Sequence, residues 1–188
     1  DTLMSGDYAL FEGTQGFGLS IEHGAFPFVI SRDTTTSAML ASIGVAPHVY
    51  PLDVVGVTRT YPIRVAGNSG PFDVDSVELT WGDVASGAGA PAISEHTSVT
   101  GALRRVATFS PFGFLRACLV NRPTEIALTF ADYLDWSAHE QSSISQPIEK
   151  FIQQIEDLAG VPVTIVKTGP HATIDLDEYR SRMLRKLR

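Results

Sequence analysis

The sequence predicts an α/β layer fold, in which helices pack on the faces of a β-sheet. Short apolar or β-branched runs alternate along the chain with stretches of helical period, and no internal repeat or low-complexity tract interrupts them. Of the 188 residues, 44% are hydrophobic and 19% are charged. This composition is typical of a globular protein with enough chain to bury a substantial core.

The first elements are predicted from apolar runs and their caps. Residues 1–5 suggest the end of a helix, and residues 8–12 form an apolar run that indicates a strand entering a glycine-rich turn. A short helix is predicted at residues 34–43, because Asp33 can serve as its N-cap and Gly44 follows its end.

The middle of the chain contains a β-rich stretch followed by a polar one. Residues 54–65 are β-rich but interrupted at Pro62, which cannot donate to a strand ladder, so we expect a break or an edge position there. Residues 67–92 are rich in Gly, Ser, Asp and Pro and predict mostly ordered loop.

The second half of the chain gives the clearest pattern. Helices are predicted at residues 110–121 and 145–159, and the second of these has apolar residues on one face and Gly160 at its end. Strands are predicted at residues 125–129 and 161–166, and a charged helix from residue 176 onward.

Charge and cysteine content exclude several classes of function. The net charge of −7 argues against nucleic acid as a partner, because no basic surface dominates. Cys118 is the only cysteine, so the chain has no internal disulfide or cysteine metal cluster, and its apolar surroundings predict a buried residue. No apolar run is long enough to span a bilayer, and we expect a cytoplasmic protein without membrane contact.

Isolated motifs carry little functional information. The turn Gly-Thr-Gln-Gly at residues 13–16 lacks the Lys-Ser/Thr of a phosphate-binding P-loop. Loops that follow strands are a common way to build a nucleotide site at the carboxyl ends of a sheet, but each polar residue in them could equally be a cap.

Six motifs follow one another along the chain: Glu-Gly-Thr-Gln-Gly at 12–16, Tyr-Pro-Ile-Arg-Val-Ala-Gly at 61–67, Val-Thr-Gly at 99–101, Asn-Arg-Pro-Thr at 121–124, Phe-Ala-Asp-Tyr-Leu-Asp at 130–135 and Thr-Gly-Pro at 168–170. Their order resembles the adenylosuccinate synthetase family, nearest its compact archaeal-type branch, which phage 2-aminoadenylosuccinate synthetases also resemble. By this resemblance, residues 1–188 are expected to be the carboxyl-terminal part of a single domain with a mixed-sheet, P-loop-like fold flanked by helices. The phosphate-gripping loop, the catalytic residues and the Mg²⁺ ligands are then expected in an amino-terminal half.

The resemblance implies a ligase that joins L-aspartate to the 6-position of IMP at the expense of a nucleoside triphosphate. GTP is the expected donor, with ATP or dATP as alternatives, and a homodimer is expected. One alternative is a 2-aminoadenylosuccinate synthetase that acts on dGMP. Another is a nucleotide-binding fragment without catalytic activity.

Four residues carry over to the monophosphate and aspartate sites. By resemblance, Gln15 lies beside the purine monophosphate and Val65 contacts its ribose through the backbone. Thr100 lies in the loop that holds aspartate, and Arg104 of that loop offers a guanidinium fork that suits a carboxylate.

Three further residues carry over to the base of the triphosphate. Asp132 aligns with an aspartate that recognises guanine, since a carboxylate can accept from both N1–H and the 2-amino group, and Gly169 and Pro170 lie beside the same base. The alternative interpretations are a strand-end cap for Asp132 and a simple salt bridge for the neighbouring Arg105.

Three positions depart from the family pattern. Ala102 replaces an arginine that contacts ribose and aspartate in the family, and Ile30 replaces a threonine that contacts the substrate phosphate. Phe130 stands where the longer branch has lysine, although the compact branch also has an aromatic residue there. The first two bear on the identity of the monophosphate, and the third bears on the identity of the triphosphate.

Overall fold

The computed structural model describes residues 9–49 and 51–186 of the protein. The chain divides into two compact units, Asp1–Leu52 and Asp53–Arg188. Residues 1–5, where the sequence suggests the end of a helix, lie outside the described residues. Strands and helices alternate through the described part of the second unit, which confirms the predicted α/β class.

The first unit contains one described α-helix, α1 (Thr36–Ser42). Its N-cap is Thr35, whose hydroxyl accepts a hydrogen bond from the Ala38 amide, so the predicted Asp33 cap is wrong by two residues. Asp33 instead accepts hydrogen bonds from the hydroxyls of Thr35 and Ser20, at 2.7 and 2.8 Å, and thereby fixes the turn that leads into the helix.

The strand predicted at residues 8–12 is wrong over the residues that the structure describes. Residues 9–12 have no strand structure, and the side chain of Leu10 is 96% exposed. An apolar run becomes a strand only where a neighbour pairs with its backbone and a core covers its side chains, and neither is found here among the described residues.

The second unit contains two sheets within its described residues. Its strands are β1 (Val55–Arg59), β2 (Ile63–Arg64), β3 (Glu78–Leu79), β4 (Arg105–Ala107), β5 (Glu125–Thr129), β6 (Val163–Lys167) and β7 (Thr173–Asp175). The larger sheet has the order β1-β5-β6-β7, with β1, β5 and β6 parallel and β7 antiparallel. The smaller sheet, β2-β4-β3, is antiparallel. The larger sheet is therefore mixed, as expected.

In the later part of the second unit, the helices lie close to where the sequence predicts them. They are α2 (Trp81–Ala88), α3 (Pro111–Asn121), α4 (Gln146–Ala159) and α5 (Leu176–Lys186). The predictions at residues 110–121, 125–129 and 145–159 are confirmed to within a residue, and β6 begins two residues later than expected. The break at Pro62 separates β1 from β2, and Cys118 is buried as predicted.

The main core forms where α4 packs on the larger sheet. Ile148, Ile152 and Ile155 lie on one face of α4 and have no exposed surface. They pack against Leu128 of β5 and Val166 of β6, which are also fully buried. Each such aliphatic side chain contributes about 1.5–3 kcal/mol by leaving water, so this layer holds the carboxyl ends of β5 and β6 in a fixed position.

The prediction of a loop at residues 67–92 is wrong between residues 78 and 88, where β3 and α2 form. Helix α2 begins with a capping box, in which Thr80 accepts from the Asp83 amide and Asp83 accepts from the Thr80 amide. It ends at Gly89, whose φ of 70° is in the left-handed region that favours glycine. The helix buries Trp81 and Val84 against the smaller sheet.

We expect Thr80→Ala to lower the free energy of unfolding by about 1 kcal/mol, because it removes the side-chain half of this cap. Urea unfolding followed by circular dichroism measures the change, and Thr80→Ser, which keeps the hydroxyl, is the matched control. Equal losses in the alanine and serine variants would show that the hydroxyl does not stabilise the helix.

Candidate functional site

A cavity of about 570 Å³ opens at the carboxyl ends of the parallel strands β5 and β6. Thr129 is the last residue of β5 and Lys167 the last of β6, and both line the cavity. In open α/β sheets ligands bind in a crevice outside this end of the strands. The cavity is therefore the candidate site.

The cavity brings together Asp132, Gly169 and Pro170, the three residues expected at the base of the triphosphate. Asp132 lies in a short 3₁₀ turn directly after β5, and the other two lie in the turn between β6 and β7. A Cβ atom at residue 169 would lie 2.7 Å from Oε1 of Glu140, so glycine, which has no Cβ atom, suits this close contact between the two residues. Glu140 is itself held, because Oε1 accepts a hydrogen bond from the amide of His171.

Asp132 is buried and paired with His139, a residue that the sequence analysis did not consider. Its Oδ2 lies 2.7 Å from His139 Nδ1, and its side chain is 4% exposed. Its Oδ1 is buried and has no hydrogen-bond partner among the described residues. Burial raises the pKa of Asp132, and the hydrogen bond from His139 opposes that rise. A contact of both oxygens with guanine would require His139 to move.

The ring of His139 is held by Trp136 as well as by Asp132. The two rings are stacked, with centroids 3.8 Å apart and planes 10° apart. Trp136, His139 and Asp132 all line the cavity. The signal available in the sequence was a histidine seven residues after a strand-end aspartate, in the same loop.

Phe130 forms a rigid aromatic wall of the cavity. Its backbone has a φ of 57°, and its carbonyl accepts a hydrogen bond from the Thr60 hydroxyl at 2.7 Å. The guanidinium of Arg59 lies 4.0 Å from the centre of the Phe130 ring and pairs with the carboxylate of Glu95. Burial, followed by the nearby charge of Glu95, raises the pKa of Tyr133 to about 12, so its hydroxyl stays protonated.

The two residues predicted to bind L-aspartate, Thr100 and Arg104, lie in one loop, which leads from the cavity into β4. The hydroxyls of Thr97 and Thr100 are 2.5 Å apart, and Thr97 also bonds both backbone groups of Ala102. The Arg104 amide donates to the Glu95 carbonyl at 2.8 Å. Arg104 Nε donates to the His96 carbonyl at 3.4 Å, and no carboxylate of the described residues pairs with the guanidinium.

Val65, the predicted ribose contact, lies in an exposed turn that is fixed by two arginines. Its carbonyl accepts from the Ser69 hydroxyl at 2.6 Å, and Arg64 Nε donates to the Ser69 carbonyl at 2.6 Å. Arg105 donates to both oxygens of Glu78, and also to Ser69 and to the carbonyl of Gly70. The interpretation of Arg105 as a salt-bridge residue is confirmed.

The pair between Glu78 and Arg105 should make the stability of this region depend on pH. Hydrogen bonding and charge from Arg105 lower the folded-state pKa of Glu78 below its ordinary value. The stabilisation is therefore complete above the unfolded pKa, near 4.5, and is lost as pH falls through the folded pKa. We expect Glu78→Gln to cost about 0.5–1 kcal/mol at neutral pH, since the pair is partly exposed.

Urea unfolding of both proteins at a series of pH values measures this effect. The difference between the unmutated protein and Glu78→Gln should shrink as pH falls below about 4. A difference that stays constant down to pH 3 would rule out the charge of Glu78 as its cause.

Gln15, the predicted monophosphate contact, lies in the first unit. It is exposed and has a φ of 67°, in the turn that precedes a 3₁₀ helix at Phe17–Leu19. The Thr34 hydroxyl donates to the Gly16 carbonyl at 3.1 Å and thus ties this turn to the segment before α1.

Within residues 9–49 and 51–186, no three His, Cys, Asp or Glu side chains come close enough together to ligate an ion. In the same part of the chain, every helix is too short or too polar to cross a membrane.

The sequence matches known proteins over most of its length. The family model described as Adenylosuccinate synthetase matches residues 1–140. The chain is 39% identical over 181 residues to an adenylosuccinate synthetase of Methanocaldococcus jannaschii, which covers 94% of this chain and 50% of that protein. It is 34% identical over 184 residues to that of Archaeoglobus fulgidus, covering 96% and 52%. The chain therefore spans about half the length of these curated relatives.

Two solved structures resemble the fold. The succinoaminodeoxyadenylate synthetase of cyanophage S-2L, PurZ, solved with dGMP and with dATP as an energy donor, has a TM-score of 0.71 and 33% identity. The match covers 90% of this chain and 48% of PurZ. A fully ligated adenylosuccinate synthetase from Plasmodium falciparum has a TM-score of 0.76 over 93% of this chain and 51% of that one. At 21% identity, this structural likeness shows a shared fold and no more.

Proposed function

Because this chain belongs to the adenylosuccinate synthetase family, we propose that it supplies substrate-binding parts of a purine nucleotide ligase. The proposed reaction joins L-aspartate to the 6-position of IMP and consumes a nucleoside triphosphate. We place residues 1–188 in the carboxyl-terminal part of a single domain. In the assembled enzyme, this chain acts together with the segment that corresponds to the other half of its relatives.

The observation that carries the proposal is the convergence of Asp132, Gly169 and Pro170 on one cavity. These residues come from two separate segments, and the resemblance assigned all three to the base of the triphosphate. A cavity of about 570 Å³ at the carboxyl ends of parallel strands has the size and place of a nucleotide site.

The other residues are proposed to bind the two remaining substrates. Gln15 and the backbone at Val65 bind the purine monophosphate, and Thr100 and Arg104 bind L-aspartate. The γ-phosphate moves to O6 of the purine, and the amine of aspartate then displaces it. In such phosphoryl transfer the protein contributes mainly by positioning the reactants and stabilising charge. We propose that Mg²⁺ is required, with ligands outside this chain.

Synthesis of 2-aminoadenylosuccinate from dGMP is the second candidate function. It is favoured by Ala102, which offers no donor to a ribose 2′-hydroxyl, and by the 33% identity to PurZ, whose structure contains dGMP and dATP. On this alternative ATP or dATP replaces GTP as the donor. For either function we propose a homodimer in the cytoplasm.

The proposal is tested by product formation in the assembled enzyme. The protein is incubated with L-aspartate, Mg²⁺, GTP or ATP, and either IMP or dGMP, and the products are identified by chromatography with mass spectrometry. Adenylosuccinate from IMP supports the leading function, and a product from dGMP alone selects the second. A folded assembled enzyme that forms neither product would refute both.

A further inference from the structure

The loop at residues 95–104, which is proposed to hold L-aspartate, forms an irregular hairpin. His96 and Leu103 make an isolated antiparallel bridge within it. One residue nearer the base of the hairpin, the Arg104 amide donates to the Glu95 carbonyl at 2.8 Å. Because these two residues face each other where the hairpin begins and ends, a displacement of Glu95 also displaces Arg104.

The side chain of Glu95 is held by residues at the wall of the nucleotide cavity. Its two carboxylate oxygens accept hydrogen bonds from the two terminal nitrogens of Arg59, one of them at 3.3 Å. The guanidinium of Arg59 lies over the ring of Phe130, and Tyr133 also hydrogen-bonds to Glu95. Both aromatic residues line the cavity. Glu95 therefore joins the cavity wall, through its side chain, to the hairpin, through its backbone.

The pair between Arg59 and Glu95 is enclosed and geometrically specific. The two side chains are 20% and 16% exposed, and such a pair is screened by salt less than one at the surface. A guanidinium that meets both oxygens of a carboxylate fixes the orientation of both groups. The remaining nitrogen of Arg59, Nε, is buried and has no hydrogen-bond partner among the described residues. Within that part of the chain, the guanidinium is therefore held by Glu95 and by the ring of Phe130.

We propose that Glu95 is a positioning residue of the aspartate site, which anchors the hairpin to the cavity wall and so holds the Arg104 guanidinium where it meets the carboxylate of the substrate. Arg59 is the support of this anchor, and Phe130 in turn supports Arg59. The inference rests on the proposed function for the presence of L-aspartate at Arg104. It adds two residues that act on the aspartate site through Arg104 rather than through contact with a substrate.

Glu95→Gln tests the anchor with little change in the size of the side chain. The amide presents one acceptor oxygen to Arg59 instead of two, and it carries no charge. In the assembled enzyme we expect the KM for L-aspartate to rise about tenfold, because a small misplacement of a binding group is costly. The KM for the monophosphate should stay within about twofold, since Gln15 and Val65 lie outside the hairpin. Steady-state kinetics with each substrate varied in turn measures both values.

Glu156→Gln is the matched control. The Glu156 side chain is also 16% exposed and paired with an arginine, but this pair joins α4 to α5. That variant should leave the KM for L-aspartate within about twofold of the unmutated value. The double variant Arg59→Met/Glu95→Gln removes both charges of the anchor. Because the two residues act through one link, its KM should lie within about twofold of that of Glu95→Gln, and a further tenfold rise would contradict the shared anchor.

Hydrogen exchange of the same proteins, followed by mass spectrometry, tests the anchor without catalysis. In Glu95→Gln, peptides that cover residues 95–104 should exchange about tenfold faster, whereas peptides from α4 should be unchanged. Unchanged exchange of the hairpin, or an unchanged KM for L-aspartate, in this variant would overturn the proposal. Faster exchange of the hairpin in an assembled enzyme that forms no ligation product would support the anchor and count against the proposed function alone.

Discussion

Replacing Arg104 with leucine should raise the KM for L-aspartate in the assembled enzyme by about 100-fold. Its guanidinium has no carboxylate partner among the described residues, and its loop is anchored by the 2.8 Å bond to the Glu95 carbonyl. A guanidinium binds a carboxylate through two charge-assisted hydrogen bonds, and truncating such a pair costs about 2–5 kcal/mol. About 2.7 kcal/mol of this corresponds to the 100-fold change.

Steady-state kinetics with each substrate varied in turn separates this role from a general defect. The KM for the monophosphate should change by less than about threefold, because uniform damage would affect both substrates. Arg104→Lys should recover only part of the affinity, since an ammonium cannot reproduce the planar fork. An unchanged KM for aspartate in the leucine variant would remove Arg104 from the aspartate site.

The parts of the fold that could be predicted from the sequence are those that bury one continuous face. Helix α4 places Ile148, Ile152 and Ile155 on one side at helical spacing, and each is fully buried against the sheet. Strand β5 has an apolar centre at residues 126–128 and parallel neighbours on both sides, which is why it was predicted correctly.

The elements that were missed depend on tertiary contacts. Helix α2 contains two glycines, and composition therefore indicated a loop, but the box between Thr80 and Asp83 and the burial of Trp81 outweigh that weak propensity. The apolar run at residues 9–12 is the opposite case. Its residues favour a strand, but no strand among the described residues pairs with it.

Some residues of the candidate site could be predicted from the sequence and others could not. Asp132, Gly169 and Pro170 could be proposed because their motifs recur in a family, and the fold brings them to one cavity. His139 could not be proposed from sequence spacing alone. Its pairing with Asp132 depends on a ring stacked on Trp136 and on a buried carboxylate, and neither distance nor burial is visible in the sequence.

Ala102→Arg should shift the preference of the assembled enzyme toward a ribonucleotide by about tenfold to 100-fold. By the family resemblance, an arginine at this position is expected to contact the ribose, and a hydrogen bond with a charged donor contributes roughly 1.5–3 kcal/mol when buried. With alanine there, a deoxyribonucleotide loses nothing relative to a ribonucleotide. We therefore expect the unmutated enzyme to use dIMP or dGMP at least as well as its ribonucleotide counterpart.

The neighbouring Arg105 is the residue that could otherwise replace the missing arginine, and its contacts make this unfavourable. Both of its terminal nitrogens and its Nε are engaged by Glu78, Ser69 and Gly70, so the side chain could move to a new position only by breaking these bonds. Both backbone groups of Ala102 are bonded to Thr97, and neither bond involves the side chain that the substitution changes.

The measurement is kcat/KM for IMP, dIMP, GMP and dGMP in the unmutated enzyme, in Ala102→Arg and in Ala102→Leu. The leucine variant adds bulk without a donor, so it should leave the ratio of ribonucleotide to deoxyribonucleotide within about twofold of the unmutated value. A strong preference of the unmutated enzyme for IMP over dIMP would contradict the argument from Ala102. The 2′-hydroxyl would then be recognised by another group, and ordinary adenylosuccinate synthesis would be the function that the site supports.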